Sequence, residues 1–264
     1  MNGANIEHRL TVLKNDDRGA GYFHLVARAP ALAQTARPGQ FIHVRCAPGV
    51  DPLLRRPFSF FRLRPGAGEV EIYYQVVGRG TELLSQVKPG TELDALGPLG
   101  QGFPLSSQAE RVLLLGRGMG TAPLVALAEA ARNQGTAVHA VLSARSPATL
   151  VGDRLLAAWG VDVTTVTDAD GTSDPVQVEP LLAAALDQPG MVQAFVCGSR
   201  RLAQLLGRLA AARGIPAFVS LEERMGCGLG GCLVCAYRTR TAEGETYKRV
   251  CKDGPVFPLE EVVL

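Results

Sequence analysis

The chain has 264 residues, enough for two domains or for one domain with an appendage. With 47% apolar residues, 20% charged residues and a net charge of +2, it has the composition of a soluble globular protein. No basic run suits nucleic acid, no acidic tail is present, and no apolar stretch reaches the roughly 18 residues of a membrane span. The N-terminus lacks the apolar core of a signal sequence, so the expected location is cytoplasmic. Thiols stay reduced there, and clustered cysteines read as a metal site rather than a disulfide framework.

Residues 1–105 read as short strands. The segments 8–14, 22–29, 39–46, 58–64, 69–78 and 91–98 are rich in branched and aromatic residues, and Pro-Gly turns separate several of them. Six strands at this spacing predict an antiparallel β-barrel, with a helical insert over 81–87. The pattern changes at 106–221. An apolar run, Val112–Leu115, ends in a glycine-rich turn and is followed by a helix over 122–133. Strands at 137–144, 160–167, 192–198 and 216–221 then alternate with helices at 178–187 and 199–214, which predicts a doubly wound parallel α/β domain. Residues 222–264 are too few for a large core and are expected to need a bound metal as a staple.

Three motifs carry chemistry. "LLRRPFSFF" places Arg56 and Ser59 in an Arg-x-x-Ser pattern at a proline-led turn. There a guanidinium can pair with a pyrophosphate while the Ser hydroxyl faces a flavin ring; alone, the same residues describe an ordinary turn. Downstream, Gly78, Gly80 and Thr81 open a helix, and a helix N-terminus suits a phosphate. In "LLLGRGMGTAPL", Gly116, Gly118 and Gly120 lie between a strand and a helix. They are similar to a dinucleotide fingerprint whose third glycine comes one residue early. Cys197 and Gly198 end a later strand, at the edge where such sheets bind ligands. Ser143 and Arg145 stand where a nucleotide 2′-phosphate fits, and no acidic residue offers itself there for a ribose. Cys46 alternates with Ile42 and Val44 and reads as core, and the four histidines read as structural or surface residues. The aspartates in "TDADGTSD" lack calcium-loop spacing.

The third motif is the sharpest. Cys227, Cys232, Cys235 and Cys251 follow the pattern Cys-x4-Cys-x2-Cys-x15-Cys. Zinc sites more often show two Cys-x2-Cys knuckles or a histidine pair, whereas the Cys-x4-Cys-x2-Cys…Cys arrangement is that of plant-type [2Fe–2S] proteins. The surrounding glycines let backbone N–H groups approach the sulfurs, and Arg224, Lys248, Arg249 and Lys252 stand near in sequence to offset an anionic cluster.

In order, "RRPFSF" with "GRGT", "GRGMGTAPL" with "CG", and "VSLEERMGCGLGGCLVC" with "CKDGPVF" resemble the electron-transfer subunits of class 1B dihydroorotate dehydrogenases, within the ferredoxin reductase-like flavoproteins. The resemblance covers nearly the full chain. It implies FAD in the barrel (1–105), NAD on the α/β domain (106–221) and a [2Fe–2S] cluster on the four cysteines of a small third domain (222–264). It implies flavin contacts at Arg56, Pro57, Phe58, Ser59, Tyr73, Tyr74, Gln75, Gly80 and Thr81. It also implies an FMN-containing catalytic partner, in a heterotetramer with two of each subunit, that oxidises dihydroorotate in pyrimidine biosynthesis. The family commonly has arginine where Gln75 stands, an aliphatic residue at Phe58 and glycine at Arg117. Small subunits of NAD(P)H-dependent ferredoxin oxidoreductases and of sulfide dehydrogenases share the architecture, but there the first ligand position resembles Asp. A redox-sensing flavin/iron–sulfur protein is an alternative of another class.

Overall fold

The computed structural model describes residues 6–264. The first part comprises β1 (Glu7–Gly19), β2 (Tyr22–Arg28), helix α1 (Pro30–Thr35), β3 (Phe41–Val44), β4 (Arg56–Ser59), β5 (Arg62–Arg64), β6 (Glu69–Gln75), helix α2 (Arg79–Ser85) and β7 (Glu92–Leu99). Its strands form one antiparallel sheet in the order β4-β3-β7-β1-β2-β6-β5. β4 and β5 are edges, so the expected barrel is a curled sheet rather than a closed one, with seven strands in place of six. The extra strand arises within 58–64. Phe60 and Phe61 are consecutive and both buried, which breaks the in–out alternation of a strand and bends the chain between β4 and β5. In β1, β2 and β6, Leu10 and Val12, Leu25 and Ala27, and Val70, Ile72 and Tyr74 alternate into one core.

The second part follows the sequence pattern closely. β8 (Arg111–Arg117), α3 (Thr121–Asn133), β9 (Ala137–Ala144), α4 (Asp153–Ala158), β10 (Asp162–Thr167), α5 (Pro175–Leu186), β11 (Met191–Cys197), α6 (Arg200–Ala211) and β12 (Ala217–Ser220) alternate as strands and helices. The sheet runs β10-β9-β8-β11-β12 in parallel, and its order reverses between β8 and β11. β8 is buried on both faces. Val112 and Leu114 pack with α3, while Leu113 and Leu115 pack with α5 and α6. The short α4 was not expected; it buries only Leu156, too little to give a helical period.

The last part adds a hairpin, β13 (Ala236–Thr241) and β14 (Gly244–Arg249), and a strand β15 (Val256–Pro258). β15 pairs antiparallel with β12, so the nucleotide-type sheet gains a sixth strand. Cys235, Val250, Cys251, Phe257, Leu259 and Val262 join the core beneath α5 and α6. A segment too short for its own core therefore borrows one. Among the described residues no helix is long and apolar enough to cross a membrane.

Glu71 is the exception to alternation, a carboxylate 3% exposed on the outer face of β6. It accepts a hydrogen bond from His24 at 2.8 Å, with Arg62 at 3.6 Å and Arg64 at 3.8 Å. Arg62 also donates to Glu129 of α3 at 3.1 Å, tying the curled sheet to the second domain. Burial pushes the Glu71 carboxyl up, but the His24 bond and the charges of His24, Arg62 and Arg64 outweigh it, leaving it below its ordinary range. A carboxylate of this kind stabilises the fold above its unfolded pKa, and the contribution is lost as pH falls through the folded one. Glu71→Ala is expected to cost about 2 kcal/mol near neutral pH. Its deficit against wild type should shrink as acid takes the pH below the carboxylate range, which chemical denaturation at two pH values measures.

Candidate functional site

Arg56, Pro57, Phe58 and Ser59 of β4, Tyr73, Tyr74 and Gln75 of β6, and Thr81 of α2 line one cleft of about 410 Å³. Phe41 and Val77 complete that side, and the facing wall comes from the other two parts of the chain: Met119 and Ala122 after β8, then Leu221, Glu222, Glu223, Met225 and Pro255. Gly80 does not line it. A Cβ at Gly80 would lie 2.8 Å from Arg56 Nε, so the bare glycine is what lets the guanidinium lie over the first turn of α2. The Thr81 hydroxyl accepts the Val77 N–H at 2.9 Å and donates to the Gly78 carbonyl at 3.0 Å, fixing that turn. Tyr74 donates its hydroxyl inward to Asn15 at 3.0 Å and presents only its ring, while Tyr73 packs 5.3 Å from Phe61. A cleft walled by aromatic and aliphatic side chains, with one guanidinium beside the first turn of a helix and hydrogen-bonding groups on its strands, fits a flavin carrying a pyrophosphate; the Glu222 and Glu223 side chains also line it. Gln75 lines the cleft with a carboxamide, which can hydrogen-bond but brings no charge. A larger groove of about 740 Å³, between α6, β12 and the C-terminal residues, holds none of the residues singled out by the sequence.

The four tail cysteines come as two pairs. The Cys227 sulfur accepts N–H groups from Leu229 and Gly231 at 3.3 Å and from Cys232 at 3.4 Å, and the Cys232 sulfur accepts the Cys227 N–H at 3.4 Å. Cys235 and Cys251 form the inner pair, each 2% exposed, with the Cys251 N–H on the Cys235 sulfur at 3.4 Å. The Leu229 N–H, followed by the Cys232 and Gly231 donors, pulls the Cys227 thiol down to about 6 against a smaller burial effect. Burial, then the Cys235 thiol, pushes Cys251 up. Among the described residues no three ligating side chains converge on one point, as a single ion would require. Two thiol pairs instead match a binuclear centre in which each iron takes two cysteines, and the N–H groups around the outer sulfur are the donors such a centre uses. The nearby cations act less directly than the sequence suggested. Lys248 pairs with Glu261 at 2.6 Å and Arg249 with Asp253 at 2.9 Å, and Arg249 also donates to the Gly230 carbonyl at 3.2 Å.

The glycine turn after β8 meets the end of β11 backbone to backbone. A Cβ on Gly120 would fall 2.4 Å from the Gly198 Cα, and one on Gly198 would fall 2.2 Å from the Arg117 carbonyl oxygen. Gly198 also sits at φ +96°, where a side chain is strained. Gly116 needs its bare Cα too, since a Cβ would lie 2.5 Å from Thr121 Oγ1, and Gly118 opens the short 3₁₀ turn between strand and helix. These contacts place the turn at the reversal of strand order, where doubly wound sheets bind ligands. Gly198 lines a second cavity of about 230 Å³ that shares Leu221, Glu222 and Glu223 with the first cleft. Cys197 lines neither; its thiol is buried against the core under α3, and burial pushes its pKa well up. Arg117 leaves the turn altogether. It donates to Ser143 Oγ at 2.6 Å and to Asp168 at 2.7 Å, bridging the ends of β9 and β10.

Three contributors escaped the sequence reading. Leu221, Glu222, Glu223 and Met225 carried no expected role in the flavin cleft. Asp168 lies 51 residues from Arg117, and nothing local joins them. His43 is 1% exposed and lies against the cysteine loop, where burial lowers it to about 4 and keeps it neutral. A histidine between Ile42 and Val44, in a strand buried throughout, was the available signal.

The model of the iron–sulfur cluster binding domain of dihydroorotate dehydrogenase B matches residues 222–263. The electron transfer subunit of dihydroorotate dehydrogenase B (NAD(+)) from Desulforamulus reducens is 37% identical over 91% of this chain and 92% of its own. The same subunit from Geobacillus thermodenitrificans is 37% identical over 97% of this chain and 98% of its own. A solved NADH-dependent reduced ferredoxin-NADP oxidoreductase covers 100% of this chain and 91% of its own at 26% identity, with a TM-score of 0.80. The ferredoxin NADP+ reductase of Neisseria gonorrhoeae, solved with FAD and NADP, shares the fold at a TM-score of 0.66, 18% identity, 80% of this chain and 93% of its own.

Gly120→Ala is expected to destabilise the protein by about 3 kcal/mol, because the atoms it meets are backbone and cannot swing away. Gly231→Ala, with nothing within 4 Å of its Cβ position, should be neutral in the same thermal-unfolding experiment and keep its N–H on Cys227.

Proposed function

Because the chain belongs to the family of dihydroorotate dehydrogenase B electron transfer subunits, we propose that it passes electrons from an FMN-containing catalytic subunit, through a [2Fe–2S] cluster and FAD, to NAD+ in pyrimidine biosynthesis. Its partner is the dihydroorotate-oxidising subunit, two of each forming a heterotetramer. A bound flavin exchanges electrons singly or in pairs, so it links a one-electron [2Fe–2S] cluster to a two-electron nicotinamide. The observation that carries the reading is adjacency. One residue, Gly226, separates Met225 of the cleft wall from Cys227 of the cysteine loop. A single stretch of backbone thus serves both sites.

The chain's own residues bind, orient and shield. Arg56 would offer a fixed guanidinium to a pyrophosphate beside the first turn of α2, and Ser59, Tyr73 and Gln75, which line the same cleft, would bind the flavin ring from the strands. Cys227 and Cys232 would hold a cluster from the solvent-facing side and Cys235 and Cys251 from the buried side. The outer loop carries exposed Leu229, Leu233 and Val234, with Leu233 at 61% exposure, an apolar rim suited to the catalytic subunit. Gly120 and Gly198 keep the approach to the second cavity free of side chains for a nicotinamide. At the other end of that approach, Arg117 occupies Ser143 and brings in the Asp168 carboxylate. That carboxylate, held by Arg117 and Ser173, can still accept from a ribose hydroxyl, while Ser143 is taken by Arg117 instead of being offered to a 2′-phosphate, which supports NAD+ over NADP+.

The test is an anaerobic absorption spectrum of the purified protein, with iron and flavin assays, before and after NADH. Flavin bands and a broad cluster shoulder that both bleach are expected. A colourless zinc protein would overturn the reading, and a flavin-free one would favour a redox sensor. In the same preparation Arg56→Ala should weaken FAD retention about 10- to 100-fold, the loss expected for one charge-assisted contact to a pyrophosphate. Titration of the flavin-stripped protein with FAD measures it.

A further inference from the structure

Three of the four histidines have partners. His8 Nε2 meets the Gly97 carbonyl at 2.9 Å, His24 Nε2 meets Glu71 at 2.8 Å, and His139 Nδ1 meets Asp162 at 2.8 Å. His43, 1% exposed, makes no hydrogen bond of good geometry at either ring nitrogen, and only the backbone at Arg55 and at Cys227 approaches it. A buried polar group left unpaired costs about 1–3 kcal/mol, so its retention calls for a reason.

Its surroundings supply one. On one side, His43 of β3 pairs in register with Pro57 of β4, between the Arg56 and Phe58 that line the cleft. On the other side lies Gly228. A Cβ at Gly228 would stand 2.5 Å from His43 Nδ1 and 3.1 Å from Cε1, so the ring fills the space that the missing side chain leaves. Gly228 sits at φ +71° between Cys227 and Leu229, inside the turn whose N–H groups converge on the Cys227 sulfur. Arg55, the nearest charged side chain in sequence to the cleft motif, is engaged elsewhere, donating to Asp94 at 2.8 Å. One imidazole therefore spans the distance from the flavin-side strand to the turn of the first cysteine.

We propose that His43 is a positioning residue between the two redox sites, its single ring N–H donating into the Cys227 turn and holding that turn in the form that grips the cluster. The proposal rests on the assignment of Cys227, Cys232, Cys235 and Cys251 as cluster ligands. A neutral imidazole carries one N–H, and a donor behind a metal ligand orients the ligand and tunes the metal. Hydrogen bonds near the sulfurs raise a cluster's reduction potential by stabilising its reduced, more negative form. Without the His43 donor the turn loosens, the N–H groups on Cys227 weaken, and the potential falls. The flavin keeps its own potential, because His43 does not line the cleft.

The experiment compares holoprotein carrying His43→Leu, His43→Asn and His43→Gln with wild type in redox titrations, following the cluster by EPR and the flavin by absorbance. In His43→Leu the cluster midpoint is expected to move down, or the cluster to be lost, with the flavin midpoint unmoved. The two amide variants keep a donor, and at least one should return the cluster and its potential toward wild type. An unchanged midpoint in His43→Leu, or a defect that neither amide relieves, overturns the proposal. A wild-type protein without a [2Fe–2S] spectrum would instead remove the ligand assignment, and the proposal with it.

Discussion

Three backbone N–H groups converge on the sulfur of Cys227, and much of the molecule is arranged to hold that turn in place. A sulfur that carries charge near a protein surface needs donors, and the chain supplies them from its own backbone. The turn can wind so tightly only because Gly228 adopts φ +71° and leaves room for His43. Leu221–Met225 lead into it from the cleft, and Arg249 clamps its far end at the Gly230 carbonyl. Cys235 and Cys251 sit deeper, where the core beneath α5 and α6 fixes them.

The three parts of the chain are joined by a few specific contacts as well as by covalent linkage. Gln101, just past the curled sheet, donates its N–H to the Gly254 carbonyl at 2.5 Å, next to the Pro255 that lines the cleft. Phe103 packs edge-on against Phe195 of β11 at 5.5 Å between centroids. Arg62 and Glu129 link the sheet to α3. β15 extends the parallel sheet with residues from the cysteine-bearing segment. Electron transfer depends on fixed spacing between centres, and joints built from backbone contacts and buried rings resist the sliding that side-chain contacts alone would permit. The cleft lies where the three parts meet, so each contributes to its wall.

Much of this was legible in the residues. The branched and aromatic segments between Pro-Gly turns in the first 105 positions, the continuous apolar run Val112–Leu115 and the glycine turn after it all marked their elements, because each follows from local sterics and composition. The cysteine spacing marked a ligand set for the same reason: four residues within one short segment must lie near one another. Where the reading fell short, distance in sequence was the cause. Phe58–Arg64 looked like one strand because its bend comes from burying two adjacent rings in different surroundings. Arg117 stands where the resemblance leads to glycine, and only the fold shows that Ser143 and Asp168 draw its side chain out of the turn.

Short segments alone fix the kinds of chemistry present: a guanidinium beside a flavin-type strand, a glycine turn open to a dinucleotide, and four thiols set among glycines. These are properties of short segments, set by covalent geometry and by which side chains are absent. Folding at long range is what sorts the cysteines into two pairs of unequal burial and brings β15 onto a sheet begun more than a hundred residues earlier. It also decided that His43 lies between cleft and cysteine loop. Those facts depend on which surfaces the cores press together, and packing between distant segments leaves no periodic trace in the chain.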